Sequence, residues 1–237
     1  MRRRACLAAL LGLPLAGCIS GPGQFVKSDV DRIADMHRRE AMVSLNKLAE
    51  KLYRRNPREW RKGGHESLEV ALARLAEPGR AGISPEPVTD SAASGRRSTA
   101  MMLAALGDDY SHDRVSGFIG GLTNMVYDAF GGKFEFFLLD ELDAQKLHNA
   151  ARNVEIAAWK LANAKRTQPE ADLLPGSPLL LSNEIAPLQN LSFEREFGKL
   201  ISNLDMLSQI AADKNQRFVV KVVQNLATAA FIPIPIR

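Results

Sequence analysis

Apolar positions recur at three- and four-residue steps through most of the chain, the pattern of helices that each bury one stripe. From Ser28 onward they fall at Val30, Ile33, Ala34, Ala41, Leu45, Leu48 and Leu52, with Arg38, Arg39, Lys47 and Glu50 on the other face. Ser28 reads as the helix cap, and Asp29 and Asp31 occupy the first turn, where the helix dipole favours acids. Asn56-Pro57 ends the segment, because a residue before proline avoids helical backbone angles. A second helix is expected over 66–77, with Leu68, Ala71, Leu72 and Leu75 inward. Across 78–97 the period disappears and Pro, Gly and Ser dominate, which reads as a linker or surface loop.

Helices are then expected over 98–106 and 112–130. The second contains Gly117, Gly120 and Gly121, each unfavourable in a helix by roughly 1 kcal/mol relative to alanine. Gly117 and Gly121 stand four apart, a spacing that lets another backbone approach closely. Flanking charges (Asp113, Arg114, Asp128, Lys133) argue for close packing within a bundle over a membrane span. Gly131-Gly132 turns the chain, and 134–139 is either a short strand or the floor of the core.

The clearest helix is expected over about 141–165, with an alanine-rich seam through Leu147, Ala150, Ala151, Val154, Ala157, Ala158 and Leu161. Prolines frame a second break over 167–190. Ser192 then caps a helix whose residues hold near-heptad, coiled-coil-like spacing: Phe193, Phe197, Leu200, Leu204, Leu207, Ala211, Lys214, Phe218, Val222. It is expected to reach about 230 unless the polar run 213–216 breaks it, and the valines at 219–223 leave a strand open as the alternative. The tail Ile232-Pro233-Ile234-Pro235-Ile236 must be extended, its isoleucines packed on the body or turned to a partner. The fold class is therefore all-α, a helical bundle with two long helices (about 141–165 and 192–230) joined by Pro/Gly-rich loops.

Charge changes this picture at one end. Lys and Arg number 31 against 27 Asp and Glu, a net charge of +4, yet Arg2, Arg3 and Arg4 lie within the first seventeen residues. Without that segment the balance is +1, which argues against nucleic acid as a partner, since phosphate neutralisation needs clustered cations. Both cysteines, Cys6 and Cys18, also lie at this end, so residues 19–237 hold no thiol for a disulfide, metal cluster or nucleophile. The basic start, the apolar run Ala5–Leu13 and small residues before Cys18 read as a secretory signal.

Leu15-Ala16-Gly17-Cys18 resembles the lipobox of bacterial lipoproteins. The resemblance implies cleavage between Gly17 and Cys18, a diacylglyceryl thioether on Cys18 and acylation of the new amino terminus, palmitate being the familiar chain. It also implies a cell-envelope protein, with Ile19 rather than Asp after the cysteine favouring the outer membrane, periplasmic face, over the inner membrane. The expected organisation is a signal over 1–17, a tether over 18–27, an amino-terminal helical hairpin over 28–77, the linker 78–97 and a main helical domain over 98–237.

Candidate chemistry is sparse. Asp108, Asp109, His112 and Asp113 form the densest cluster, and on a helix Asp108 and His112 would share a face and could share a metal or proton. The competing reading is a polar turn with an Asp cap. Asp140, Glu141, Asp143 and His148 read as a helix start. No nucleophile elbow, phosphate loop or zinc spacing is present, so no catalytic residue or cofactor is assigned. Arg38-Arg39, Arg54-Arg55 and Arg96-Arg97 read as solvated faces. The functional expectation is a non-enzymatic, lipid-anchored scaffold or accessory subunit of an envelope complex, docking to an envelope protein or to itself. Two alternatives stand beside it: a tethered metal-binding protein or hydrolase using the Asp108 cluster, and a lipid or hydrophobic-ligand binder using 116–122 and the isoleucine tail.

Overall fold

The structure, a computed structural model, describes residues 27–76, 91–137, 140–169, 173–183, 191–215, 219 and 229–234, with the side chains of 91–96 outside that set. Among the described residues it is all-α: seven helices, no strand, and a single isolated bridge between Lys165 and Pro178. The lipobox, Cys6, Cys18, Phe218, Val222 and most of the linker lie outside the described residues.

Helix α1 (Asp29–Arg55) is the longest at 27 residues. Its start is fixed by a reciprocal capping box: the Ser28 hydroxyl accepts the Asp31 N–H at 3.2 Å, and the Asp31 carboxylate accepts the Ser28 N–H at 2.7 Å. Asn56-Pro57 ends α1 as expected, but the proline also opens a short helix, α2 (Pro57–Lys62), because proline is pre-set for the first helical turn. Helix α3 (Leu68–Leu75) is capped by Ser67. Helix α4 (Ser91–Ala105) begins seven residues ahead of the expected start at Ser98, so the non-helical linker is shorter than 78–97. Helix α5 (Arg114–Ala129) starts after Asp113, and helix α6 (Ala144–Asn163) after Asp143, whose carboxylate accepts the amides of Gln145 and Lys146.

Helix α7 (Ser192–Lys214) corrects the expected 192–230 helix. It stops where Asn215 donates its N–H to Ala211 O and its side-chain amide to Leu142 O, and residues 229–234 are not helical. The polar run 213–216 offers no apolar stripe to carry the helix further. Nor is Ser192 the cap: Leu191 holds that position, and the Ser192 hydroxyl accepts from Lys51 Nζ at 2.7 Å.

The core is one cluster fed by α1, α3, α4, α5, α6 and α7, in which Leu45, Leu52, Phe118, Leu122, Leu147, Val154, Phe193, Phe197 and Leu204 are buried. Helix α4 lies along α5, α6 along α7, and α1 against both α7 and α5, so 28–77 and 98–237 contribute to the same interior. The glycines of α5 explain the first contact. A Cβ at Gly121 would stand 2.6 Å from Ser98 O, and one at Gly117 would stand 2.9 Å from Ala105 Cβ. The two backbones approach because both positions lack side chains.

After α5, Gly131 and Gly132 take left-handed angles (φ +70° and +69°) and reverse the chain. Residues 134–137 are irregular and not a strand; Phe136 is buried, and its N–H donates to Asp35 Oδ1 at 2.9 Å. The carboxyl-terminal segment packs on the body. Asn153 donates to Ile232 O at 2.8 Å and accepts the Ile232 N–H at 2.6 Å, and Asn149 donates to Pro233 O. These amides of α6 satisfy the backbone groups of a segment that has no sheet to join. Ile234 is buried behind them.

Candidate functional site

The Asp108 cluster sits between the end of α4 at Ala105 and the start of α5 at Arg114, where the backbone is not helical. Asp108 and His112 therefore share no helix face, and the expected pairing does not form. The Asp108 carboxylate turns instead to Thr167, accepting its N–H and its hydroxyl, and the hydroxyl bond is the main reason its carboxyl is held below the ordinary aspartate range. Asp109 is exposed, and His112 is exposed with its ring edge-on to Tyr110 at 5.7 Å. Asp113 caps α5: Oδ1 accepts the Ser116 N–H at 2.9 Å, and Oδ2 accepts the Tyr53 hydroxyl at 2.7 Å.

The organising residue here is one that the sequence pattern does not single out. Arg114 is fully buried, and its guanidinium donates to Ala105 O, Gly107 O and Asp108 O at 2.9, 2.6 and 3.2 Å. Its own N–H donates to the buried carboxylate of Glu59 at 2.7 Å. A cation thus meets the carbonyl end of α4 while two carboxylates, Glu59 and Asp113, meet the amide end of α5. Both arrangements complement the helix dipoles. Burial pushes the Asp113 carboxyl up against the opposing pull of the Ser116 and Tyr53 hydrogen bonds, and burial with the nearby Asp113 charge pushes the Tyr53 phenol up. The available hydrogen bonds of this junction fasten α1, α2, α4 and α5 together. The sequence signal that could have found it is the charged pair Asp113-Arg114 set directly before an apolar run.

The second expected group also divides. Asp140 accepts from Lys133 and from the Phe137 N–H, and the Lys133 bond holds its carboxyl low. Asp143 caps α6, and Glu141 is exposed. His148 Nδ1 lies 3.7 Å from Asp205 Oδ1, and Asp205 Oδ2 accepts from Arg152 at 2.6 Å, a bridge between α6 and α7. Among the described residues no three His, Cys, Asp or Glu side chains gather in a way that could hold a metal ion.

A groove lies elsewhere, between the outer flanks of α1 and α7. The two helices are pinned antiparallel by Asp31 with Lys214 (3.6 Å), His37 with Asn203, and Lys51 with Ser192. Asn203 holds His37 twice: its Nδ2 donates to His37 O at 2.5 Å, which turns its Oδ1 toward the ring Nδ1. A carbonyl oxygen accepts only, so Nδ1 carries the proton and Nε2 is left with the lone pair when the ring is neutral. Beside this clamp runs a groove of about 470 Å³ lined by His37, Glu40, Ser44, Gly198, Lys199, Ser202, Asn203 and Met206.

No protein-family model, curated protein or solved structure matches this chain.

Proposed function

We propose that the chain is a lipid-anchored protein of the bacterial cell envelope, held in the outer membrane through Cys18 and facing the periplasm. Its helical body acts there as a scaffold or accessory subunit. The observation that carries this reading is the segment Arg2-Arg3-Arg4, Ala5–Leu13, Leu15-Ala16-Gly17-Cys18, whose order and residue types resemble a lipoprotein signal. Two features of the body are consistent with it. The capping box at Ser28 begins the first described helix ten residues after Cys18, a tether length that keeps the bundle close to the bilayer. Within the densest cluster of acids and histidine, Asp113 is engaged in capping α5 and Asp108 in holding Thr167, contacts that serve assembly of the bundle.

The scaffold role is tested by photo-crosslinking in cells from Met36, Val43 and Met206, the large apolar side chains that α1 and α7 leave exposed. The reading expects adducts to one envelope protein or to a second copy from these positions, and none from Glu50 or Glu69. Equal labelling from all five positions contradicts it.

A further inference from the structure

Gly198 sits in the interior of α7, where glycine is unfavourable, yet among the described residues no atom occupies the place of its missing side chain. A Cβ built there meets no atom within 4 Å, whereas those at Gly117 and Gly121 would collide with α4. The two glycines of α5 are needed for packing; Gly198 is not. It is exposed and forms part of the lining of the α1–α7 groove.

The rest of the lining is chemically mixed in a particular way. His37 and Ser44 are both more than nine-tenths buried, so the floor carries fixed polar side chains. Asn203 fixes the His37 ring so that neutral Nε2 is an acceptor. Glu40 adds a carboxylate from α1, and Lys199, steadied by Glu196 at 3.1 Å, adds an ammonium from α7. Ser44 and Ser202 contribute hydroxyls, and Met206 an apolar wall. Acceptors therefore concentrate on α1 and the cation on α7. The volume falls within the range typical of small-molecule sites, about 300–1,000 Å³.

We propose that this groove binds a small zwitterion of the amino-acid or short-peptide class. Its ammonium group is drawn to Glu40 and the Nε2 lone pair of His37, and its carboxylate to Lys199 and the serine hydroxyls. A neutral sugar would use the hydroxyls but neither charge. The assignment is independent of the lipid anchor.

The test uses full-length protein in detergent micelles, labelled with ¹⁵N at histidine and glycine, and titrated with L-alanyl-L-alanine. The expected result is a shift of the His37 ring nitrogens and the Gly198 amide, with His112 unmoved. N-acetylation or carboxyl amidation of the dipeptide should each weaken binding about tenfold or more, as should Glu40→Gln and Lys199→Gln, because each removes one charge-assisted hydrogen bond. Gly198→Leu should abolish the shift while helical content by circular dichroism stays unchanged. Glu40 and Lys199 are exposed, so their variants report on binding even where the leucine disturbs α7. An absence of any shift at millimolar dipeptide, or equal shifts from the doubly blocked dipeptide, overturns the proposal. So does an equal response to a neutral disaccharide.

Discussion

The phenol of Tyr53 donates to Asp113 Oδ2 at 2.7 Å, so a side chain in the last turn of α1 fastens the residue that caps α5, sixty positions away. Both groups are buried, and the same Asp113 carboxylate receives the amide of Ser116. Removing the donor leaves a buried carboxylate short of one partner. Tyr53→Phe should therefore destabilise the fold by about 1–3 kcal/mol, read as a lower urea midpoint at unchanged slope. A loss below a few tenths of a kcal/mol would mean that the bond does not hold the junction.

Two aspartates should give opposite pH dependences. For Asp31, burial alone would raise the carboxyl, but the Ser28 hydrogen bonds and Lys214 outweigh it and leave it below the ordinary 3.8. Its folded form holds the proton less tightly than the unfolded chain. The stability it contributes is present above the ordinary range and is lost as pH falls through the folded value. For Asp113 burial dominates and the carboxyl lies above 3.8, so the folded form holds the proton more tightly and stability declines as pH rises through that window. Asp31→Asn should flatten the acid limb of a stability-versus-pH curve and remove about 0.3–1 kcal/mol at neutral pH, because the amide oxygen still accepts the Ser28 N–H but the charge that Lys214 and the helix dipole favour is gone. Asp113→Asn should steepen that limb by removing the opposing contribution. Denaturant melts at several pH values check both signs.

The glycines make a paired prediction. Gly198→Ala should stabilise the protein by about 1 kcal/mol, since the helix gains propensity and the new methyl meets open space. Gly121→Ala should destabilise it despite the same propensity gain, because the methyl would meet the backbone oxygen of Ser98 at 2.6 Å and the α4–α5 contact would have to open. Thermal melts of the two variants should shift in opposite directions.

The docked tail depends on Asn153, which both donates to and accepts from Ile232. Asn153→Ala removes both bonds and should release 229–234 from α6. Amide exchange at Ile232 should then approach that of an unprotected chain, while exchange in the middle of α6 stays slow. Retained protection at Ile232 would show that burial of Ile234 holds the segment without the asparagine.

Periodicity alone made much of this fold readable. The stripe Leu45, Leu48, Leu52 and the series Phe193, Phe197, Leu200, Leu204, Leu207, Ala211 are buried as their spacing implies, and Gly117 and Gly121 mark a close helix contact. Helix ends were harder to read. Apolar spacing does not register where backbone amides find partners, so Leu191 rather than Ser192 at the start of α7, and the stop at Lys214, follow from local hydrogen bonds.

The Asp108 cluster misled for a related reason. Four polar residues within six positions resemble a site if the segment is helical, but Gly107 and the Arg114 guanidinium terminate α4 there and send each side chain elsewhere. Glu59 and the His37–Asn203 clamp were invisible because their partners are distant in sequence. Residues 37 and 203 become neighbours only when α1 lies antiparallel to α7.

The central claim is that Cys18 anchors the chain, and intact-mass analysis of the protein recovered from outer-membrane fractions tests it most directly. The account predicts a chain beginning at Cys18 and carrying the added mass of a diacylglyceryl group and an amide-linked acyl chain, with Cys18→Ala absent from that fraction in this form. An unmodified chain in the outer membrane, or a Cys18→Ala protein that fractionates there with the same mature start, would contradict it.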